Sequence, residues 1–96
     1  MRKAYLLVYS EATGSREKIK EWANSEPMVI TWRYDLPSCF YIISEESAQY
    51  LANSLRNFTK DNGRFIFTEI HQNRYGWLPS SSWYLMTNKT NKPKDR

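Results

Sequence analysis

The sequence predicts an α+β fold, in which a four-stranded antiparallel sheet carries two helices on one face. Four short runs rich in aromatic and β-branched residues indicate the strands. Two segments between them repeat apolar residues at helical spacing, and the elements follow the order strand, helix, strand, strand, helix, strand. A chain of 96 residues, 41% of them hydrophobic, is long and apolar enough for one domain.

The first strand and the first helix come from the N-terminal quarter of the chain. AYLLVYS, at residues 4–10, is almost entirely apolar, as expected of a central strand that is buried on both faces. Ser15 is a suitable N-cap, and the helix that follows it is predicted to end near Pro27. Its apolar stripe consists of Ile19, Trp22 and Ala23.

A β-hairpin follows, with strands predicted at residues 29–34 and 38–43. Asp35, Leu36 and Pro37 separate them, and a residue before proline is disfavoured in a helix, so this break predicts a tight reversal. The third strand carries Cys39, the only cysteine of the chain. A single cysteine allows neither an intramolecular disulfide nor a zinc site built from several thiolates, and it fits a reducing compartment.

The second helix and the fourth strand complete the pattern. Ser44 is the predicted N-cap, with Glu45 and Glu46 in the first turn, where the helix dipole favours negative charge. Gly63 suits the left-handed position that ends the helix, and RFIFTEI at residues 64–70 is the fourth strand. The apolar stripe of this helix consists of Ala48, Leu51, Leu55 and Phe58.

The order of the elements predicts how the sheet is connected. Helices that follow strands one and three cross back over the same face, and right-handed crossovers place these two strands at the centre. This is the ferredoxin-like βαββαβ sandwich. The domain is predicted to cover residues 1–86 and to include a short helical or strand extension from about residue 71. Pro79 suits the first turn of such a helix, which would place Trp83 and Met86 on one face.

Most of the net charge of +4 lies in the last ten residues, which contain three Lys, one Arg and one Asp. Low hydropathy and Pro93 predict that residues 87–96 form a disordered basic tail. Such a tail contacts phosphates without sequence preference, so weak and unspecific binding of RNA or DNA is an expectation. The candidate residues for that contact are Arg33, Lys89, Lys92, Lys94 and Arg96.

The sequence predicts a cytoplasmic protein that has no membrane partner. The basic start is followed by an apolar run that is shorter than the apolar core of a secretory signal peptide. No other stretch approaches the length that spans a bilayer.

A homodimer is predicted because helices on one side only leave the second face of the sheet apolar and uncovered. The candidate interface residues are Tyr5, Tyr9, Trp32, Tyr34, Trp77, Leu78 and Trp83. Stacking of RNA bases is the alternative use of such a face. It is less favoured, because SCFYIIS on the third strand lacks the basic start and the glycine of an RNA-recognition motif.

The residues that could carry chemistry are few. Cys39 would need a base, and His71 is the only histidine, but nothing in their spacing brings the two together. Glu11, Asp35 and Glu69 lie at strand ends or in the hairpin turn and could bind magnesium, although they form no recognisable motif. We therefore expect a half-buried structural thiol, a surface histidine and solvated carboxylates, with no cofactor.

Several segments also carry a resemblance to known proteins: AYLLVYS, TWRYDLPSCFYIIS, RFIFTEI and the ending YGWLP, followed by Trp83. In this pattern the chain resembles SinR-like small ferredoxin-fold proteins, which are related to the small CRISPR-associated dimeric nucleases and to VapD-type proteins. The resemblance implies a homodimer, with the segment after strand four extending or covering the partner's sheet. In the nuclease relatives a metal-binding Asp ends the first strand. Here Ser10 stands at that place and Glu11 follows it.

Two hypotheses of different classes follow. The first is a non-catalytic homodimeric module with weak, unspecific nucleic-acid binding; the second is an endonuclease for RNA or DNA that uses Glu11 and Mg²⁺ or Mn²⁺. The first is favoured, because no catalytic set can be assembled from residues that the spacing brings together. It assigns no catalytic residue and no metal ligand.

Overall fold

A computed structural model describes residues 1–91 of the chain. The elements are β1 (Lys3–Tyr9), a 3₁₀ turn (Glu11–Thr13), α1 (Arg16–Ser25), β2 (Val29–Arg33), β3 (Cys39–Ser44), α2 (Ala48–Thr59), β4 (Phe65–Glu69) and α3 (Ser80–Asn88). The strands form one antiparallel sheet in the order β2-β3-β1-β4. The predicted ferredoxin-like α+β fold is confirmed, with β1 and β3 at the centre and a helix as the C-terminal extension.

The pairing of the strands fixes which side chains share a face. Leu7 of β1 lies opposite Phe40 of β3 and Phe67 of β4, so these three point to the same side of the sheet. Val8 lies opposite Cys39 and Ile66 on the other side. We call the side of Leu7 the first face and the side of Val8 the second face.

Helices α1 and α2 cover the first face and form the larger core with it. Trp22 of α1 is 1% exposed, and its indole nitrogen donates to Ser54 Oγ of α2 at 2.9 Å. Ser54 Oγ donates in turn to Glu26 Oε1 at 2.6 Å, so a polar chain ties the two helices together. The buried residues of this core are Tyr5, Leu7, Tyr9, Ile19, Trp22, Ala23, Phe40, Ile42, Leu51, Leu55 and Phe67.

Helix α1 begins as predicted, because Ser15 accepts a hydrogen bond from Lys18 N at 3.2 Å. The predicted cap of α2 is wrong: Ser47, and not Ser44, accepts from the first turn, at Tyr50 N. Ser44 belongs to the end of β3, where its hydroxyl donates to Met28 O at 2.7 Å. Ser44 lies three residues before the N-cap, and the hydrogen bond that its hydroxyl accepts comes from Glu46 N, outside the helix.

The predicted left-handed end of α2 is also displaced. Lys60 and Asp61 adopt this conformation, with φ of 56° and 62°, immediately after the helix. Gly63 has a φ of 75° and approaches Thr13 so closely that a Cβ there would overlap the Thr13 backbone. Gly63 is therefore needed for the close contact between two loops, and it does not form the end of the helix.

Helix α3 packs on the second face, beginning directly after Pro79 as the sequence predicts. Its Leu85 and Met86 are buried there, and α3 continues to Asn88, into the segment that the sequence assigns to the tail. The small core that α3 forms consists of Ala4, Tyr41, Ile43, Leu85 and Met86. None of the helices within residues 1–91 has the length and apolar character needed to cross a membrane.

Candidate association surface

Helix α3 covers only part of the second face, and apolar side chains lie exposed beside it. Ile66 on the edge strand β4 is 60% exposed, and its neighbour Val8 on β1 is 40% exposed. Leu36, at the hairpin turn, is 45% exposed. We call Val8, Leu36 and Ile66 the open patch.

The segment between β4 and α3 adds two aromatic side chains to this region. Tyr75 and Trp77 are 100% and 98% exposed. Leu78 and Trp83, by contrast, are half-buried and pack on the small core under α3. Tyr75 and Trp77 therefore point outward, while Leu78 of the same segment and Trp83 of α3 pack toward the sheet.

A groove of about 310 Å³ lies between this segment, α3 and the sheet. Its lining is mostly apolar and includes Leu6, Leu36, Tyr41, Leu78, Trp83 and Met86. Tyr75 also contributes to the lining, as do the polar residues His71 and Arg74. A concave apolar surface with a few polar groups is the kind of site that takes up an apolar side chain or ligand.

A polar cluster fixes the start of α3 to the hairpin. Arg33 Nε donates to Ser82 Oγ at 2.6 Å, and the Ser82 hydroxyl donates to the Asp35 carboxylate. Arg33 and Asp35 also form an ion pair at 3.6 Å. Since Ser82 is fully buried, these bonds satisfy a hydroxyl that would otherwise destabilise the docked helix.

Tyr41 lies beside this cluster and is 2% exposed. Among residues 1–91, no contact of its hydroxyl has the distance and angle of a hydrogen bond, although the Asp35 carboxylate lies near it. Burial raises the pKa of Tyr41, and the neighbouring Asp35 carboxylate raises it further. The second face thus contains a buried hydroxyl beside a groove, in contrast to Tyr5, whose hydroxyl donates to Glu46 O at 2.6 Å.

Four of the predicted interface residues lie on the first face, not on the uncovered one. Tyr5 and Tyr9 are only 2% and 5% exposed and belong to the core under α1 and α2. Their assignment to an exposed face is therefore wrong. The alternation in β1 shows that the two tyrosines share a face, but it does not show which face the helices cover.

Trp32 and Tyr34 are half-buried at the edge of the same core. Their rings are parallel within 5°, and the Arg16 guanidinium lies 4.4 Å from the centre of the Tyr34 ring. Trp32 donates its indole N–H to Asn24 Oδ1 at 2.9 Å. These contacts, made within the chain, account for both aromatic rings. Of the predicted set, Trp77, Leu78 and Trp83 remain at the second face.

The predicted nucleic-acid residues are scattered. Arg33 is bound to Ser82 and Asp35, so its guanidinium is not available to a phosphate in this arrangement. Lys89 follows the last turn of α3 in a left-handed conformation, with φ of 56°. Lys92, Lys94 and Arg96 lie outside the described residues.

The structure does not bring the candidate carboxylates together. Glu11 is exposed in the 3₁₀ turn, whereas Asp35 is engaged by Arg33 and Ser82 in the hairpin. Within residues 1–91, no group of three or more His, Cys, Asp or Glu side chains could hold a metal ion. Ser10, at the place of the nuclease aspartate, accepts a hydrogen bond from Arg64 N at 2.9 Å and so joins two loops.

Cys39 and His71 lie at opposite ends of the sheet. Cys39 is paired with Val8, while His71 follows Ile70, whose N–H donates to Ala4 O at the other end of β1. Four residues of a strand span roughly 13 Å, too far for proton transfer between the two groups. Cys39 is 7% exposed, and burial raises the pKa of its thiol. This supports a structural thiol.

Several surface features could not be found in the sequence. The alternation along β1 and β4 pairs Val8 with Ile66, but only the position of α3 shows that both are exposed. Tyr75 belongs to an aromatic segment whose packing has no periodic signal. The bond between Arg33 and Ser82 joins residues 49 positions apart, and no local pattern predicts such a pair.

Comparison with protein-family models, with curated proteins and with solved structures finds no match to this chain. The resemblance to SinR-like proteins therefore stays a prediction.

Proposed function

We propose that the chain is a non-catalytic module that works as a homodimer, and that it associates through the uncovered part of its second face. One observation carries the proposal: Tyr75 and Trp77 are almost fully exposed, and Tyr75 lines the same groove as Leu36 of the open patch. Scattered exposed apolar residues are ordinary, but a contiguous patch with large aromatic rings is typical of an interface.

The distribution of exposure supports association through this face. On the first face, the side chains at the centre of the sheet are covered by α1 and α2, and Leu7 and Phe40 are 0% exposed. The second face has only α3, so on this side of the sheet no helix covers Ile66 of β4 or Val8 at the end of β1. A second copy of the chain would bury the surface that α3 leaves open.

The non-catalytic part of the proposal is supported by how the reactive groups are placed. Cys39 and His71 are far apart, and Asp35 is engaged in the polar cluster. The alternative, a metal-dependent endonuclease, depends on Glu11 from two copies converging in a dimer. Its test is a cleavage assay on RNA and DNA with added Mg²⁺ or Mn²⁺.

Nucleic-acid contact is a second candidate, favoured by the concentration of charge in the last ten residues. We expect it to be weak, unspecific and steeply salt-dependent, because phosphates neutralised by Lys and Arg release counterions. Replacing Lys89, Lys92, Lys94 and Arg96 by serine should abolish retention of RNA and DNA in a filter-binding assay. Sequence-selective binding that survives this change would show that the folded surface recognises nucleic acid.

The proposal of a homodimer is tested by sedimentation equilibrium of the full chain over a dilution series. The mass should approach that of two chains at high micromolar concentration and fall toward one chain on dilution. A single-chain mass at several hundred micromolar would contradict the proposal.

A further inference from the structure

The groove on the second face is mostly apolar, and it lies beside Tyr75 and Trp77, the two most exposed aromatic side chains of residues 1–91. The lining is formed by Leu6 and Tyr41 from the sheet, Leu36 from the hairpin, and Leu78 and Trp83 from the segment around the start of α3. Trp77 lies on that same segment and is 98% exposed. One chain therefore carries both an apolar recess and an unburied indole.

We propose that Trp77 of each chain inserts into this groove of a second copy, so that the two insertions are reciprocal. The inference rests on the proposed homodimer and names the contact that forms it. A symmetric dimer has a self-complementary interface, in which a residue and the surface it contacts occur once on each side of the two-fold axis. Tyr75 and Leu78 both line the groove and Trp77 lies between them along the chain, so a two-fold axis near this segment would place each Trp77 close to the groove of the other copy.

The area involved suits a specific dimer. A large aromatic side chain buries about 150–250 Å². Tyr75 and Trp77 from two chains, with the surface that they cover, would remove about 1,200–2,000 Å² from water, which is the standard size of a stable interface. A smaller contact, with one ring alone, would fall below that range.

The groove also offers what an indole needs. Its walls are mostly apolar, and a buried indole N–H requires an acceptor. Thr68, Glu69 and Asn73 also line the groove, and their side-chain oxygens are the acceptors that we assign to the inserted Trp77.

Other molecules that could bind in the groove would leave more of the exposed apolar surface uncovered. A small apolar molecule in the groove would leave Trp77 and Tyr75 in water. Bases of a single strand could stack on the two rings, but they would leave Ile66 and Val8 uncovered. Only a second copy accounts for the groove, the rings and the open patch together.

The test uses two variants that damage opposite halves of the contact. Trp77→Ala removes the inserted side chain but keeps the groove, and Leu36→Lys charges the groove but keeps Trp77. Each variant alone should lose dimer affinity by at least about 30-fold, as expected for a central aromatic anchor. A mixture of the two should form a heterodimer, because Trp77 of the Leu36→Lys chain can still enter the groove of the Trp77→Ala chain.

The matched control is Tyr50→Ala, since Tyr50 is 39% exposed on α2, on the opposite side of the sheet. It should dimerise like the unchanged chain, and circular dichroism should show that all three variants are folded. If either variant is unfolded, isotope-filtered nuclear Overhauser effects in the unchanged chain decide instead: contacts between the Trp77 indole of a labelled chain and the Leu6 methyls of an unlabelled one are expected.

Three results would overturn the inference. One is that Trp77→Ala dimerises normally while Ile66→Lys does not; the homodimer would then stand with a different contact. Another is that mixing fails to restore a dimer. The last is that Trp77→Ala abolishes binding of a single-stranded oligonucleotide without affecting dimer mass, which would assign the indole to stacking. A chain that is monomeric throughout would refute the proposed homodimer itself.

Discussion

The two faces of the sheet differ in how completely they are buried, although the same strands supply both. At neighbouring positions, Leu7 is 0% exposed and Val8 is 40% exposed, while Phe67 is 8% and Ile66 is 60% exposed. Helices α1 and α2 close the first face with an extensive apolar core, whereas α3 closes part of the second with a small core and a polar cluster. The first face is closed by helices, and the second leaves apolar side chains exposed.

The largest effect is expected on the first face. Phe40→Ala should lower the free energy of unfolding by about 3–5 kcal/mol, because it leaves a cavity under both helices. Ile66→Ala, on the second face, should cost about 1 kcal/mol or less. Urea unfolding of dilute protein measures both. Equal losses of unfolding free energy in the two variants would contradict the difference in stability between the two faces.

This contrast also shows what the sequence could predict. The periodicity of apolar residues predicts the four strands and the first two helices. The cap at Ser15 is also predicted correctly, because a serine directly before a helix accepts a hydrogen bond from its first turn. Ser44 was misassigned as the cap because a serine at a strand end can equally bind a neighbouring carbonyl, here that of Met28. The predicted ends of helices and strands are wrong where one side chain can bind either of two nearby backbone groups.

The association surface was predictable only in part. An aromatic segment after a completed fold predicts an interface at Trp77, and the structure shows that its ring is exposed. Tyr5 and Tyr9 could not be placed correctly, since an apolar strand buried on both faces has no polar side to orient it. The position of α3 depends on Arg33, Asp35 and Ser82, which meet only in the folded chain.

A smaller effect is expected when the polar cluster of the second face is broken. Ser82→Ala should lower the free energy of unfolding by about 1–3 kcal/mol, because it removes the buried hydroxyl that bridges the charged groups of Arg33 and Asp35. Hydrogen exchange should rise along α3 and stay unchanged in α1. Faster exchange in both helices would mean that α3 is not an independently docked element.

The buried tyrosine predicts a loss of stability at high pH. The pKa of Tyr41 is raised from its ordinary 10.0 in the folded chain, so above pH 10 the unfolded chain loses a proton that the folded chain retains. Stability contributed by the neutral hydroxyl is complete below pH 10 and falls as the pH rises beyond it. Tyr41→Phe should flatten this fall in urea unfolding at pH 9 to 11, while Tyr75→Phe, with a fully exposed ring, should not.

The smallest expected effect is on cleavage of nucleic acid. RNA and DNA incubated with the chain and Mg²⁺ or Mn²⁺ should remain intact, because hydrolysis needs a metal held by correctly aimed carboxylates and Glu11 is exposed and isolated from Asp35. Gel analysis of the substrates checks this. Metal-dependent cleavage that Glu11→Gln abolishes without altering the fold would establish the nuclease hypothesis.

The most direct test of the account compares one added charge on each side of the molecule. Ile66→Lys places the charge in the open patch, and Asn53→Lys places it on the exposed side of α2. In sedimentation velocity at high micromolar concentration, Ile66→Lys should run as a single chain, and Asn53→Lys should run as two chains, like the unchanged protein. A dimer that survives Ile66→Lys but is lost in Asn53→Lys would contradict association through the second face.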